Sequence, residues 1–561
     1  MTAAETPVVI VGAGPVGLAT ALVLGRHGVP SIVCEQYGGI NPHPRAHVVN
    51  TRSMELLRTW GIADAVLKDS VDPRWAQHIL WKQTLSGPVL GRIDMAEGPD
   101  EHILRRMAAS PEMITSCAQD RVQQHLLDAV LAQGMATVRY NTTVLDVTDR
   151  GDAVDVTVES GRRRQTLRAR YAVAADGAGG ALREALGITA GGSADLGHQM
   201  NIYFHADLSP WTEDSPALLV WAVNTASPGV FIGMDGVRRW TFQKSFDPAV
   251  ESPDDYSPER CARIIREAVG VDRLDVEIRS VGPWTMTART ADRYRSGRVL
   301  LAGDAAHQFP PTGGLGMNTG LADADNLGWK LAAVLNGWAP EALLDSYETE
   351  RRPVAVGNAH HSVLNAVKMA EAGIGPDTAG IAARLESPDP AIAAEERRRI
   401  AAAIPLQRPH FDSLNQEIGY VYGAAGHAEG VADAPLSAAD YSPAPVVGGR
   451  LPHTWVERDG VRLSTLDLLV PGFTLITGPA GTAWAELFAE AAEGVPMETV
   501  VVGRDVIGAD NSCLERLGIA EDGAVLVRPD SHIAWHSGDG TSPFSLGTAF
   551  HDVPAAAPQS A

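Results

Sequence analysis

The sequence predicts an α/β protein: a Rossmann-like nucleotide-binding domain, an inserted antiparallel sheet that makes the middle α+β in character, and a small separate α/β domain at the end. Three observations carry this. A strand-turn-helix fingerprint opens the chain, Val8-Val9-Ile10-Val11-Gly12-Ala13-Gly14-Pro15-Val16-Gly17. A second glycine-bearing strand end, Gly303-Asp304-Ala305-Ala306-His307, follows much later. From about 186 to 289 the character changes, with aromatics spread through strand-like segments at Tyr203, Phe204, Trp221, Phe231, Trp240, Phe242 and Trp284.

The fingerprint has a mechanical reading. An apolar run suited to a buried parallel strand feeds a glycine turn, and a helical stretch from Leu18 to Arg26 follows. Gly12 permits the tight turn, Gly14 lets the backbone approach a pyrophosphate, and Gly17 allows helix to pack closely on strand. The helix start, with Pro15 and Val16 in its first turn, offers unpaired N–H groups and a positive dipole end to an anion. A second apolar strand, Ser31-Ile32-Val33-Cys34, ends at Glu35, at the spacing of the acid that accepts hydrogen bonds from ribose hydroxyls; Gln36 adjoins it. A glycine turn after a strand also arises for structural reasons alone. Together with the strand, the helix and Glu35 it favours a dinucleotide, without choosing between FAD and NAD.

Further along, Arg52 to Arg58 has helical spacing and Gln119 to Ala132 reads as an amphipathic helix. Strand-like runs at Thr137–Tyr140, Ala153–Val158 and Tyr171–Ala175 converge on Asp176-Gly177. The nucleotide-binding domain returns with Val299-Leu300-Leu301, and a long helical region runs from Gly320 to about Ala372. Residues 423 to 450, rich in Gly, Ala, Pro and Asp, suggest a linker. Beyond it Leu466–Leu469, Phe473–Ile476, a helix from Ala483 to Glu493, Thr499–Val502 and Ala524–Val527 alternate as β and α. Ala555 onward reads as a disordered tail.

Composition narrows the function. The 561 residues carry 68 acidic and 46 basic side chains, a formal net charge of -22, which argues against nucleic acid. The arginines at 162 to 164 read as a solvated loop. The apolar run from 8 to 25 is broken by glycines and Pro15 and follows no basic segment, so it fits strand-turn-helix better than a signal peptide or membrane span. The expectation is a soluble, cytoplasmic protein. Cys34, Cys117, Cys261 and Cys513 are scattered, without metal spacing, and read as buried free thiols. No histidine pattern suggests a metal, and His360-His361 reads as helix surface.

The stretch Gly297-Arg298-Val299-Leu300-Leu301-Ala302-Gly303-Asp304-Ala305-Ala306-His307, continuing Pro310-Pro311-Thr312-Gly313-Gly314-Leu315-Gly316-Met317-Asn318-Thr319-Gly320, closely resembles the group A flavoprotein aromatic hydroxylases. The resemblance implies non-covalent FAD, with Asp304 at the ribityl chain and the backbone from Pro311 to Asn318 against the isoalloxazine. Physics agrees: reduced flavin is anionic, and backbone N–H donors at a helix start stabilise that charge. Asp176-Gly177 with Arg183 also looks like the family's, with Gly180 where the family places a serine. Arg45 matches an arginine near the flavin and Gln119 a flavin-contacting glutamine; taken bare, they read as a surface-loop arginine and a helix-start residue. The end of the chain, with Gly449-Arg450-Leu451-Pro452-His453 and Val527-Arg528-Pro529-Asp530, looks like the thioredoxin-like appendage of phenol hydroxylases and larger polyketide hydroxylases. It lacks C-x-x-C, so structural support or dimer contacts are expected of it. The implied division is FAD-binding at 1–75, 101–185 and 290–375, substrate-domain strands at 76–100, substrate-binding sheet at 186–289, helical connection and linker at 376–440, thioredoxin-like domain at 441–552 and tail at 553–561.

Pro44 to Glu55 looks most like the chlorophenol and hydroxybiphenyl branch, in which a polar group stands beside the substrate hydroxyl in the slot of His47. The activity implied is NADH- or NADPH-consuming hydroxylation of a phenolic ring, ortho or para, with O2 as cosubstrate and a flavin C4a-hydroperoxide as oxidant. His47, with Arg45, is the catalytic candidate, because an imidazole takes a phenol proton near neutral pH. Trp221, Phe231 and Trp240 are candidate pocket walls, and ordinary sheet packing is the competing reading for each. No second fingerprint exists for the nicotinamide, in keeping with a family whose hydride donor docks transiently. The expected partner is a small aromatic, a homodimer or higher homo-oligomer remaining open. The alternatives are a polyketide-tailoring oxygenase (hydroxylation, epoxidation or Baeyer–Villiger), a flavin-binding module without activity, and an NAD-binding protein, which would be colourless.

Overall fold

The computed structural model describes residues 4–95, 100–423, 438–443, 445–491, 494–508 and 512–539. The tail expected at 553–561 and much of the expected linker lie outside these residues.

Apolar runs too continuous to leave one face to water must be buried on both, as in a parallel sheet covered by helices. Five strands run parallel in the order Val299–Leu301, Arg163–Ala174, Ala4–Val11, Ser31–Cys34, Ala136–Arg139, and all but the last carry such a buried run. Helix Pro15–Arg26 packs against this sheet and against helix Leu315–Leu335, and glycines set the distance. A side-chain carbon at Gly17 would stand 2.0 Å from the Gly12 carbonyl oxygen, and one at Gly320 would stand 2.4 Å from Val16. The arginines at 162 to 164 belong to a hairpin rather than a loop: Arg163 and Arg164 begin the strand to Ala174 and stay exposed.

The second sheet has seven strands in the order Glu277–Thr285, His198–His205, Arg239–Ser245, Gly229–Gly233, Leu219–Ala222, His78–Lys82, Val89–Asp94. It is mixed rather than wholly antiparallel. The hairpin at 78–94 comes from far earlier in the chain, and His78–Lys82 lies parallel to Leu219–Ala222. One face, carrying Met200, Ile202, Phe204, Phe231, Trp240 and Phe242, is closed by helix Pro258–Val269 through Cys261, Ile264 and Ile265. The other presents Val230, Ile232 and Met234 to Ala118, with Leu219 and Trp221 beside them.

The C-terminal domain carries strands Met497–Val501, Phe473–Thr477, Ala524–Val527 and Ile533–His536 side by side, the first two parallel across helix Ala483–Ala491 and the rest antiparallel. This is the thioredoxin arrangement. Leu466–Leu469, expected as a strand, falls instead largely within a turn of 3-10 helix, Thr465–Leu468, whose capping box pairs Ser464 with Asp467.

Buried ion pairs fasten this domain to the first. Arg528 donates to Glu350 at 2.7 and 2.8 Å, Lys330 to the same carboxylate at 2.7 Å, and Arg450 to Glu55. Arg52 reaches across to the Asp530 carbonyl oxygen and the Ser531 hydroxyl, each at 2.8 Å. Burial alone would raise the Glu350 carboxyl, but Arg528 and Lys330 outweigh it and hold the group at about 2. No helix among the described residues is long and apolar enough to cross a membrane. All four cysteines are buried and free.

Candidate active site

The first strand ends at Gly12, whose φ of +103° and 2.3 Å clearance between a would-be side-chain carbon and the Ala175 oxygen admit only glycine. The turn is braced by Glu35, one carboxylate oxygen accepting from Ala13 N at 2.8 Å and the other from Tyr37 N at 2.9 Å. Glu35 therefore shapes the glycine turn as well as presenting its remaining lone pairs, and Gln36 beside it is exposed. Gln123, which sequence reasoning missed, is buried and donates to the Ala13 carbonyl at 2.7 Å. Pro15 opens the helix at a position where a backbone N–H would have no partner. At Gly14 a side-chain carbon would meet nothing within 4 Å, so open space lies above the turn.

The second glycine turn sits beside the first, Gly303 against Val16. It is held from below by Asp323, which accepts from Gly303 N at 3.2 Å, His307 at 2.6 Å and Arg351 at 2.8 Å. Burial would raise the Asp323 carboxyl; His307 and Arg351 together hold it below the usual carboxylate range. Asp304 stands exposed yet surrounded by protein, and that surrounding pushes its carboxyl up while His307 and Arg45 pull the other way. The chain then turns at Pro311, Gly313 and Gly314 into helix Leu315–Leu335. No side chain caps that helix, so the first-turn N–H groups from Leu315 through Gly316 to Met317 have no intrahelical acceptor. Asn318 uses its side chain otherwise than expected. Its oxygen accepts from Asn50 N at 3.0 Å and its nitrogen donates to the Val48 and Gly314 carbonyls, pinning the 48–50 segment to the helix start.

Gln119 likewise spends its side chain on the protein, accepting from Ala46 N at 3.1 Å and so holding the loop that carries Arg45 and His47. The same loop reaches the sheet edge, where His43 Nδ1 lies 2.6 Å from the Ser280 hydroxyl. Arg45 is exposed. Asp176 accepts from Leu182 N at 3.2 Å, and its other oxygen is buried without a partner. Gly180, where the family places a serine, lies close to this carboxylate: a side-chain carbon there would stand 2.1 Å from it unless Asp176 moved.

His47 is buried, with Nδ1 3.0 Å from the Ser116 hydroxyl, and burial lowers its pKa to about 4. Burial thus keeps His47 neutral at neutral pH and makes it a weaker base than the imidazole expected from the sequence. The aromatic candidates part company. Phe231 and Trp240 belong to the core under helix Pro258–Val269 and cannot wall the same side as His47, whereas Trp221 lies on the face toward Ala118, two residues from Ser116. No cluster of His, Cys, Asp and Glu that could hold a metal occurs among the described residues.

These features fit an extended dinucleotide bearing a flavin: open space at Gly14 and Gly316, an uncapped helix start, and an orphaned carboxylate oxygen at Asp176. Comparison with known proteins decides the family. Residues 5–362 match the FAD binding domain family, and residues 444–557 match the C-terminal domain of aromatic-ring hydroxylases. The chain belongs to the FAD-dependent aromatic-ring hydroxylases.

The hydroxylase is 35% identical to tetracenomycin A2 monooxygenase-dioxygenase of Streptomyces glaucescens over 96% of its own length and 94% of that protein's. It is 32% identical to 2,4-dichlorophenol 6-monooxygenase of Cupriavidus pinatubonensis over 95% and 93%. Among solved structures, the flavin-dependent monooxygenase PieE in complex with FAD and substrate superposes with a TM-score of 0.87 at 31% identity, covering 97% of this chain and 98% of that one. The hydroxylase is thus a flavin-dependent aromatic monooxygenase with FAD as its cofactor.

Proposed function

We propose that this hydroxylase oxygenates a polycyclic aromatic of polyketide type, consuming NADH or NADPH and one O2 for each ring hydroxylated, rather than a single-ring phenol. The observation that carries the reading is the likeness, over nearly the whole of both chains, to an enzyme named for tetracenomycin A2. The apolar patch of the sheet face toward Ala118, with Val230, Ile232, Leu219 and Trp221, is in keeping with an apolar ring system. The likeness to a chlorophenol monooxygenase favours the second reading, a simple phenol.

Bound FAD, once reduced by the nicotinamide, would supply the O2 activation by which one oxygen atom enters the ring and the other ends as water. The chain's own residues do the rest. Gly12, Gly14, Pro15, Val16 and Gly17 would hold the pyrophosphate through open backbone and the helix start, and Glu35 with Gln36 would hold the adenosine end. Arg45, Gln119 and Asp176 would flank the cofactor, with Gly303 and Asp304 at its ribityl chain. From Pro311 through Gly314, Leu315, Gly316 and Met317 to Asn318 the backbone would meet the ring system, N–H groups stabilising the negative charge that reduction brings. His47, its Nδ1 committed to Ser116, would offer Nε2 to the substrate hydroxyl and orient it. The apolar sheet face would exclude water, which protects the oxidant from decay to H2O2.

The test is oxidation of NADH and NADPH by the FAD-loaded protein, with O2 uptake and H2O2 release followed in the presence of tetracenomycin A2, simpler hydroxynaphthacenequinones and a set of phenols. Strong stimulation with little peroxide for polycycles, and weak or uncoupled turnover for phenols, is expected. The reverse pattern would replace the polycyclic reading with the phenolic one.

A further inference from the structure

The substrate-facing side of the mixed sheet carries a row of hydrogen-bonding groups that the protein itself leaves unanswered. Asn201 lies opposite Gln243, Gln243 opposite Val230, and Val230 opposite Trp221. Directly opposed residues of an antiparallel pair point to the same face, so these four side chains form one line across four strands. Val230 places that line on the face that packs toward Ala118, away from the core under helix Pro258–Val269.

Asn201 is 5% exposed, its amide oxygen is buried, and neither end of the amide meets a partner among the described residues. The Trp221 indole N–H is buried and equally unpaired, and the Gln243 amide makes no hydrogen bond with a described residue. Buried polar groups in folded proteins overwhelmingly find partners, so two unpaired on one row, with the half-buried Gln243 amide between them, call for a common partner from outside. The row also has room at its outer end. Opposite Asn201 stands Gly282, where a side-chain carbon would meet nothing within 4 Å. From Asn201 to Trp221 is three strand spacings, roughly 14 Å, about the length of three or four fused rings.

We infer that Asn201, Gln243 and Trp221 read oxygen substituents on rings of the substrate remote from the one hydroxylated. Nothing charged stands in the row, so the matching oxygens are neutral: phenolic hydroxyls and quinone carbonyls rather than carboxylates. The two amides both donate and accept, and the indole donates only, so the oxygen beside Trp221 must accept. Val230, between them, leaves an apolar gap over which a ring without substituents lies. The substrate class is therefore a polycycle oxygenated at its periphery, which no monocyclic phenol can imitate. This inference rests on the polycyclic reading above and adds the residues that enforce it.

Asn201→Leu and Gln243→Leu keep side-chain size and remove the polar atoms. Each variant, loaded with FAD, is titrated with tetracenomycin A2 by the change in flavin absorbance, and kcat/KM is compared between tetracenomycin A2 and 2,4-dichlorophenol. Melting without substrate is recorded in parallel. Each variant is expected to bind tetracenomycin A2 roughly three- to tenfold more weakly, one neutral hydrogen bond's worth. Its preference for the tetracycle over the chlorophenol falls by the same factor, and it does not melt below the wild-type temperature, Asn201→Leu melting at or above it because an unpaired buried group has gone. A lower melting temperature with unchanged tetracenomycin A2 affinity would assign the amides to the protein's own hydration and overturn the inference, leaving the polycyclic reading intact. Absence of tetracenomycin A2 binding to the wild-type protein would overturn both.

Discussion

Where the C-terminal domain meets the FAD-binding domain, buried charges face each other: Arg528 and Lys330 on Glu350, Arg450 on Glu55. On the row across the mixed sheet, Asn201 and the indole N–H of the half-buried Trp221 are hidden without partners, and Thr241 on the same sheet is fully buried with its hydroxyl unanswered. Both regions hide polar atoms, at similar depth, in one chain. The difference is completion. Ion pairs between domains are finished when the chain folds, and they tie the thioredoxin-like domain, which has no C-x-x-C, to the FAD-binding domain. Groups on the sheet are left for a ligand to finish.

The comparison is broken most forcefully at Glu350. Glu350→Ala leaves Arg528 and Lys330 buried with too little countercharge, and a loss of about 3–5 kcal/mol is expected in urea denaturation of the FAD-loaded protein. A loss below about 1 kcal/mol would mean that the interface is not an obligatory part of the fold.

His47 tests a buried group on the other side. Its pKa is lowered from the ordinary 6.5 to about 4, so above pH 6.5 it is neutral in both folded and unfolded chains. As pH falls from 6.5 towards 4 the unfolded chain gains a proton that the folded one refuses, and stability falls by up to about 3 kcal/mol, levelling below 4. His47→Gln should flatten that part of the pH–stability curve, and an unchanged slope would place the histidine in water.

Gly17 and Gly14 sharpen the same contrast within the cofactor site. Gly17→Ala forces a carbon onto the Gly12 oxygen, and a loss of about 1–3 kcal/mol is expected together with loss of bound flavin. Gly14→Ala meets only open space, so the melting temperature without cofactor stays unchanged while FAD affinity, measured by fluorescence titration, falls on the order of tenfold. Equal effects of the two substitutions would contradict the distinction between packing and cofactor contact. The smallest effect belongs to Thr241→Val, which removes an unpaired hydroxyl and should change stability by less than about 1 kcal/mol, towards stabilisation.

Much of the scaffold was legible because backbone sterics write themselves into sequence. Glycines at 12 and 17 meet backbone atoms and the glycines at 303 and 320 meet Val16, so the fingerprint and the later turn announce themselves. The β–α alternation of the C-terminal domain was equally plain, apart from the capped turn at Thr465–Leu468, whose leucines imitate a strand. What stayed hidden depends on tertiary partners. A sheet buried on both faces puts aromatics on both, so no alternation could tell that Phe231 and Trp240 face the helix while Trp221 lies on the opposite face, toward Ala118. Burial of His47 arises from Ser116 and its neighbours, and Gln123 reaches Ala13 across 110 residues. Asp323, Asp325, Asn326 and Lys330 interrupt the middle of a largely apolar helix, a sign of buried pairing that was available in the sequence.

The most direct measurement is the fate of isotopic oxygen. FAD-loaded enzyme, NADPH or NADH and 18O2 are incubated with a peripherally oxygenated tetracyclic aromatic such as tetracenomycin A2, and the product is weighed by mass spectrometry. The account predicts a product heavier by one labelled oxygen atom, formed in proportion to the nicotinamide consumed. Nicotinamide oxidation that yields only labelled H2O2 with polycycles, alongside labelled catechol from a phenol, would contradict it.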